Sequence, residues 1–243
     1  MNKFVFTILL SGINMLAFGQ IKIGSEAGLQ LTNFTNKITQ SGTTTIRSGD
    51  LKPSVRAGMI VDFLIVNSFS IQPGLFYSLN NLQESTPITL TDGVYDSKSR
   101  LTIHTVQLPV YLMYKTSVEG KGRFFIGAGG YLSYALAGRQ YSEVPIEIAD
   151  SSRPTNFRTE FLKSKRNIKL GNNKTLDDYK PLGYGLSGCI GYETPVGLYI
   201  RGQFMKGFAN MRPSGNSNNI NTNWQFGISV GLFFGDGGGG FDW

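Results

Sequence analysis

His104 is the chain's single histidine and Cys189 its single cysteine. A histidine-based metal cluster is therefore impossible, and any catalysis that uses imidazole as a base must use His104. A lone cysteine forms no intramolecular disulfide. Residues 183–188 read GYGLSG, the spacing of a dinucleotide-binding loop. That loop needs a helix after it and a later acid. Here an alternating apolar pattern and Pro195 follow, so the glycines read as sheet curvature. Asp92, Gly93 and Asp96 match part of a calcium loop but lack its other ligands. The sequence therefore predicts no catalytic residue, no cofactor and no metal.

Two charged groups remain. Lys22, Glu26, Arg56, Asp62, Lys115 and Arg201 fall on one parity of alternating segments, opposite an apolar set. They either satisfy one another as a buried polar plug or line a path for protons or a solute. Lys163, Lys165, Arg166 and Lys169 come together in KSKRNIKL, diluted by Glu143, Glu147, Asp150, Glu160, Asp177 and Asp178. They read as a solvated loop, or as a contact for the anionic phosphates of lipopolysaccharide or an acidic partner.

The segments that carry these residues have period two. Eight such runs occur. Ile21, Ile23, Ala27, Leu29 and Leu31 oppose Lys22, Gly24, Glu26, Gly28 and Gln30. Val55, Ala57, Met59, Val61 and Phe63 oppose Arg56, Gly58, Ile60 and Asp62. Further runs follow near 69–79, 106–115, 124–134, 182–192, 196–204 and 224–234. Each is roughly ten residues, the length a tilted strand needs to cross a bilayer. Long polar connections (32–53, 82–99, 138–180, 210–221) alternate with short turns near Asn67 and Ser68, Glu119–Gly122, and Thr194 and Pro195. No later stretch has the length of an apolar spanning helix, so a membrane location requires a barrel. The sequence predicts an all-β fold: an eight-stranded antiparallel up-and-down transmembrane β-barrel with short periplasmic turns and long extracellular loops. Its bore is too narrow for an open channel and is filled by side chains. Gly127 and Gly129 would make room for Tyr131, and Gly74 for Phe76. A soluble lipocalin-like barrel is the rival, but it would leave glycine-rich strands on the surface. The parity of His104 matches Val106 and Leu108, which turns it toward lipid rather than a cleft.

The 243 residues suit one such barrel, and Gly 31 with 12% aromatics fits an all-β chain. Residues 1–19 read as a signal peptide with Ala17 and Gly19 at the cleavage site. Its removal takes Lys3 and lowers the net charge from +7 to +6. Residues 20–234 form the barrel, closing on the aromatic Phe234. Residues 235–243 form a Gly-rich periplasmic tail, which ends in Phe241 and Trp243 as a frayed terminus or a tip that docks into a partner.

The order of GSEAGLQLTNF, RAGMIVDF, FSIQPGLFYS, VQLPVYLMYK, FFIGAGGYLSYAL, GYGLSGCIGYE and GLYIRGQFMKGFANM resembles the PorT-like outer-membrane β-barrel proteins of Bacteroidetes-type bacteria. The tail GDGGGGFDW departs from that pattern. The resemblance implies the outer membrane of a Gram-negative cell, and some members serve type IX secretion. The reading is a non-enzymatic barrel acting in envelope structure, assembly or protein secretion. Its partners would be outer-membrane lipid, lipopolysaccharide and an envelope or secretion-system protein, with no nucleic acid and no small-molecule substrate. A small transport or lipid-binding barrel and a rim enzyme using His104 are the alternatives.

Overall fold

A computed structural model describes residues 21–40, 42–66, 68–91, 93–116, 122–150, 153–213 and 219–234. The expected signal peptide and the tail, with Phe241 and Trp243, lie outside the described residues. Ten strands follow in order: β1 (Ile21–Gln40), β2 (Thr43–Ser48), β3 (Lys52–Val66), β4 (Phe69–Leu90), β5 (Gly93–Lys115), β6 (Arg123–Asp150), β7 (Arg153–Asn167), β8 (Leu182–Glu193), β9 (Leu198–Gly207) and β10 (Asn219–Phe234). Eight of them close a ring in the order β1, β3, β4, β5, β6, β8, β9, β10, and β10 returns antiparallel to β1 from Ile23↔Phe234 to Ile38↔Asn219. Closure leaves no open edge in the ring, so each strand there has a ladder neighbour on both sides, as a hydrocarbon medium demands.

Alternation is observed and is inverted relative to a soluble protein. Leu29, Met59, Leu75, Leu112, Ile126, Ile190 and Ile228 point outward and are more than half exposed. Ile60, Phe76, Tyr111 and Tyr199 point inward and are each 1% exposed. An apolar belt of this extent is stable against acyl chains and unstable against water. Aromatic pairs mark its short-turn end, with Phe69 and Tyr114 at 5.2 Å and Phe124 and Tyr192 at 5.0 Å. Phe204 and Trp224 pair at 6.4 Å toward the other end. The turn joining β8 to β9 is set locally. Thr194 and Pro195 start it, the Gly197 amide donates to the Thr194 carbonyl at 3.0 Å, and Gly197 takes φ 83°. Proline presets the first turn dihedral, and glycine takes the left-handed position that completes the hairpin.

Two expectations are corrected. Much of the expected long loops is strand. β4 and β5 pair without a break from Phe69↔Tyr114 toward the tip at Leu90↔Gly93, except around Pro73–Phe76. β6 continues past the barrel to pair with β7, and β2 pairs with the upper part of β1. The polar, β-branched character of these segments marks a ladder that continues in water, not an absence of strand. The glycine packing also differs. A Cβ on Gly129 would strike the Val110 carbonyl, so Gly129 serves a close backbone approach. Gly127 makes room for Met113 and Cys189, while Tyr131 fits over Gly185. Gly74 does face Phe76. GYGLSG lies within β8.

Candidate functional site

The six charged residues read from parity meet inside the barrel as one network. At its centre, the Glu26 carboxylate accepts hydrogen bonds from Arg56 at 3.1 Å, Tyr199 at 3.0 Å and Ser229 at 2.8 Å. Arg201 Nη1 lies 3.2 Å from the same carboxylate. The Arg56 guanidinium sits 3.6 Å above the Phe76 ring. That of Arg201 sits among Tyr199, Phe125 and Tyr111, at 5.3, 5.5 and 5.7 Å from their centroids. Aromatic faces carry negative potential and suit these planar cations. Nearer the short turns, Lys115 Nζ contacts Asp62 at 2.7 Å and Glu193 at 3.1 Å, and Lys22 reaches Glu193 at 3.5 Å. Gln72 joins the two groups: its amide donates to Asp62 at 3.2 Å, and its oxygen accepts from Arg201.

Glu193 was not among the residues singled out from sequence, although parity could have found it. It stands two positions beyond Gly191 on the inward face of β8. Tyr199 and Gln72 carried no signal beyond the same parity. With Glu193 included, four cations and three carboxylates make up the seven charged residues of this network. The two central guanidinium groups share the single Glu26.

Above this network the lumen becomes neutral. Gln30 donates to Ser78 at 2.7 Å and Asn80 at 2.9 Å, and Gln107 donates to Gln225 at 3.2 Å. Higher still, Phe34, Leu82, Ile103 and Ala135 form an apolar cluster at the extracellular mouth. The segment after β7 packs on it through Ile168, Leu170 and Tyr179. A cavity of about 350 Å³ opens there, with Phe34, Leu82, Tyr179 and Met211 below and Glu84, Arg166, Asp178 and Arg212 around it. Its apolar side is the cluster at Phe34 and Leu82, and none of the amide-layer residues lines it. Burial pushes the Tyr179 phenol up, with Tyr131 adding to it.

The basic run is only partly free. Lys163 lies 3.7 Å from Glu143, and Arg166 lies 3.0 Å from Asp178. Partial burial pushes the Asp178 carboxyl up, but the Lys169 amide and the Arg166 guanidinium outweigh it and hold it below the usual carboxylate range. Lys165 has no ion-pair partner among the described residues. Lys163 and Lys165 share one side of β7, and Arg166 lies on the other. His104 is on the outer wall, where its Nδ1 meets the Tyr77 hydroxyl. Among the described residues it contacts no carboxylate, and no cluster of metal-ligating side chains occurs. Asp92 lies outside the described residues.

A closed ring of tilted strands, apolar outside and plugged by ion pairs inside, defines an integral outer-membrane barrel. The chain belongs to the outer membrane protein beta-barrel domain family, which it matches over residues 14–212. That match ends before β10, the strand that closes the ring. No curated protein matches the chain in sequence. Among solved structures it is similar to the outer membrane protein OprG of Pseudomonas aeruginosa, at 12% identity and a TM-score of 0.43, covering 89% of this chain and 97% of that one. It is also similar to Neisserial surface protein A, at 10% identity and a TM-score of 0.36, covering 86% and 97%. A third is Ail of Yersinia pestis, solved with a heparin analogue, at 8% identity and a TM-score of 0.32, covering 86% and 99%. Similarity at this level carries nothing about activity.

Proposed function

We propose that this protein is a non-conducting, non-enzymatic barrel that anchors extracellular β-ribbons in the outer membrane, with a role in envelope structure, assembly or protein secretion. The observation that carries this is the ion-pair network from Lys22 to Arg201, which crosses the whole lumen on side chains that are almost all buried. A bore filled in this way transmits no solute, so the surfaces left for work are the ribbons and the mouth. The PorT-like resemblance supports secretion, including the type IX pathway, as the setting. An acidic partner is the proposed contact of Lys165 and Lys169, since Lys163 and Arg166 already face carboxylates. The tip Phe241 and Trp243 is proposed to dock with an envelope partner. Affinity purification from native membranes in mild detergent tests the reading. The expected result is a stable envelope protein partner, weakened when residues 236–243 are deleted while the barrel still inserts. Stepwise conductance in planar bilayers would refute it.

The cavity at the mouth favours a second reading, a small lipid-binding barrel. Its roughly 350 Å³ lies at the small end of the range for ligand pockets.

A further inference from the structure

On the outer wall, β5 and β6 change character at one level. Going outward, β5 presents Leu112, Val110, Leu108 and Val106, then His104. β6 presents Leu132, Tyr134 and Leu136, then Arg139. Between them the ladder slips: His104 pairs with Ala137 and Thr105 with Ala135, so Leu136 is an extra residue in the wall. A bulge of this kind re-aims side chains and opens the surface. The result is a groove of about 540 Å³, lined by Leu136, Ile168 and Leu170 with His104, Arg139 and Asn167.

Charge decides what the groove accepts. It is lined by one permanent cation, one imidazole and no carboxylate. Arg139 is exposed and has no ion-pair partner among the described residues. The acids nearby are engaged elsewhere, Glu143 with Lys163 and Asp178 with Arg166. Nδ1 of His104 shares a hydrogen bond with the Tyr77 hydroxyl, and in the tautomer where that hydroxyl donates, Nε2 carries the ring hydrogen and is a donor toward the groove's ligand. Position decides the rest. Arg139 and His104 are the first polar outward residues beyond the apolar belt on their strands, the level at which lipid headgroups lie.

We propose that this groove binds the phosphorylated headgroup of an outer-leaflet glycolipid. Arg139 engages the phosphate, His104 Nε2 supplies a second donor, and an acyl chain lies along Leu136 and Leu170. A guanidinium forks onto phosphate oxygens, and the apolar lining selects a lipid phosphate over a free one. The inference rests on the membrane-barrel reading and assigns the lipid contact to the wall rather than to the basic run on β7.

The test is native mass spectrometry of the whole barrel in mild detergent. The probes are a bis-phosphorylated lipid A, the same lipid dephosphorylated, and inorganic phosphate. The wild-type barrel is expected to retain the phosphorylated lipid. Arg139→Gln should lower that retention about tenfold or more, the usual worth of a hydrogen bond to a charged group. Arg139→Lys should keep part of it, and His104→Phe should lose less than Arg139→Gln. Lys163→Ala with Lys165→Ala should leave retention unchanged. Equal retention of the dephosphorylated lipid would overturn the proposal. So would undiminished retention by Arg139→Gln, an equal loss in the Lys163/Lys165 variant, or inorganic phosphate competing as well as the lipid. Arg139 is exposed, so heat-modifiable gel mobility should not change in its variants. A wild-type chain that purified without detergent would instead fail the barrel reading itself.

Discussion

Glu26→Gln tests whether the lumen network stabilises the barrel or only occupies it. Glu26 is the one carboxylate that faces both Arg56 and Arg201, whose side chains are 0% and 1% exposed. Removing one partner from a buried ion pair costs about 3–5 kcal/mol, because the remaining charge stays desolvated. Glutamine keeps the volume and still accepts from Tyr199 and one guanidinium, which places the expected loss near the lower figure. A loss of about 3 kcal/mol lowers the folded-to-unfolded ratio by a factor of about 150. The assay is urea unfolding from phospholipid vesicles, followed by tryptophan fluorescence and heat-modifiable gel mobility. Adding Arg56→Met to Glu26→Gln removes one of the two guanidinium groups left without their carboxylate and leaves a flexible apolar side chain over Phe76. That double variant should be more stable than Glu26→Gln alone. A Glu26→Gln loss below about 1 kcal/mol, the range of an exposed pair, would refute the reasoning. So would a double variant as unstable as the sum of its parts.

Val110→Arg should destabilise insertion by about 2–4 kcal/mol, because Val110 is half exposed on the lipid face and its neighbour Tyr111 is 1% exposed in the lumen. Vesicle folding yield would measure it, and a harmless substitution would contradict the lipid face. In whole cells, Lys165→Cys should react with a membrane-impermeant maleimide. Val196→Cys, in the β8–β9 turn, should react only after the outer membrane is opened, with the buried Cys189 silent in both. The reverse labelling would invert the orientation. Asp178 is held below its unfolded value, so its contribution is present above that value and is lost as pH falls through the folded one. The pair with Arg166 is partly exposed and stabilises by less than about 1 kcal/mol. Exchange of the Lys169 amide, which donates to Asp178 at 2.9 Å, should therefore quicken under acid relative to an Asp178→Asn control, whose own exchange lacks that step.

The eight strands of the ring, the two faces and the closed bore were legible in the sequence because side-chain direction in a strand has period two. Glu26, Arg56 and Arg201 declared an inward position by parity alone, and Leu29, Val110 and Ile228 an outward one. Parity says nothing of height or of which strand lies beside which. That Glu26 would serve both arginines depends on β1 closing against β10 and standing next to β3, a register fixed by the whole ring. Gln72 as the link between the two charged groups, and Glu193 as a partner for Lys22 and Lys115, likewise needed distances across the lumen. The ribbons formed by β4 with β5 and by β6 with β7 were hidden because polar strands in water look like loops when only apolar alternation is counted. The groove at His104 and Arg139 was hidden for a different reason. It is made by a one-residue slip between β5 and β6, and a slip is a relation between two strands that neither strand's sequence contains.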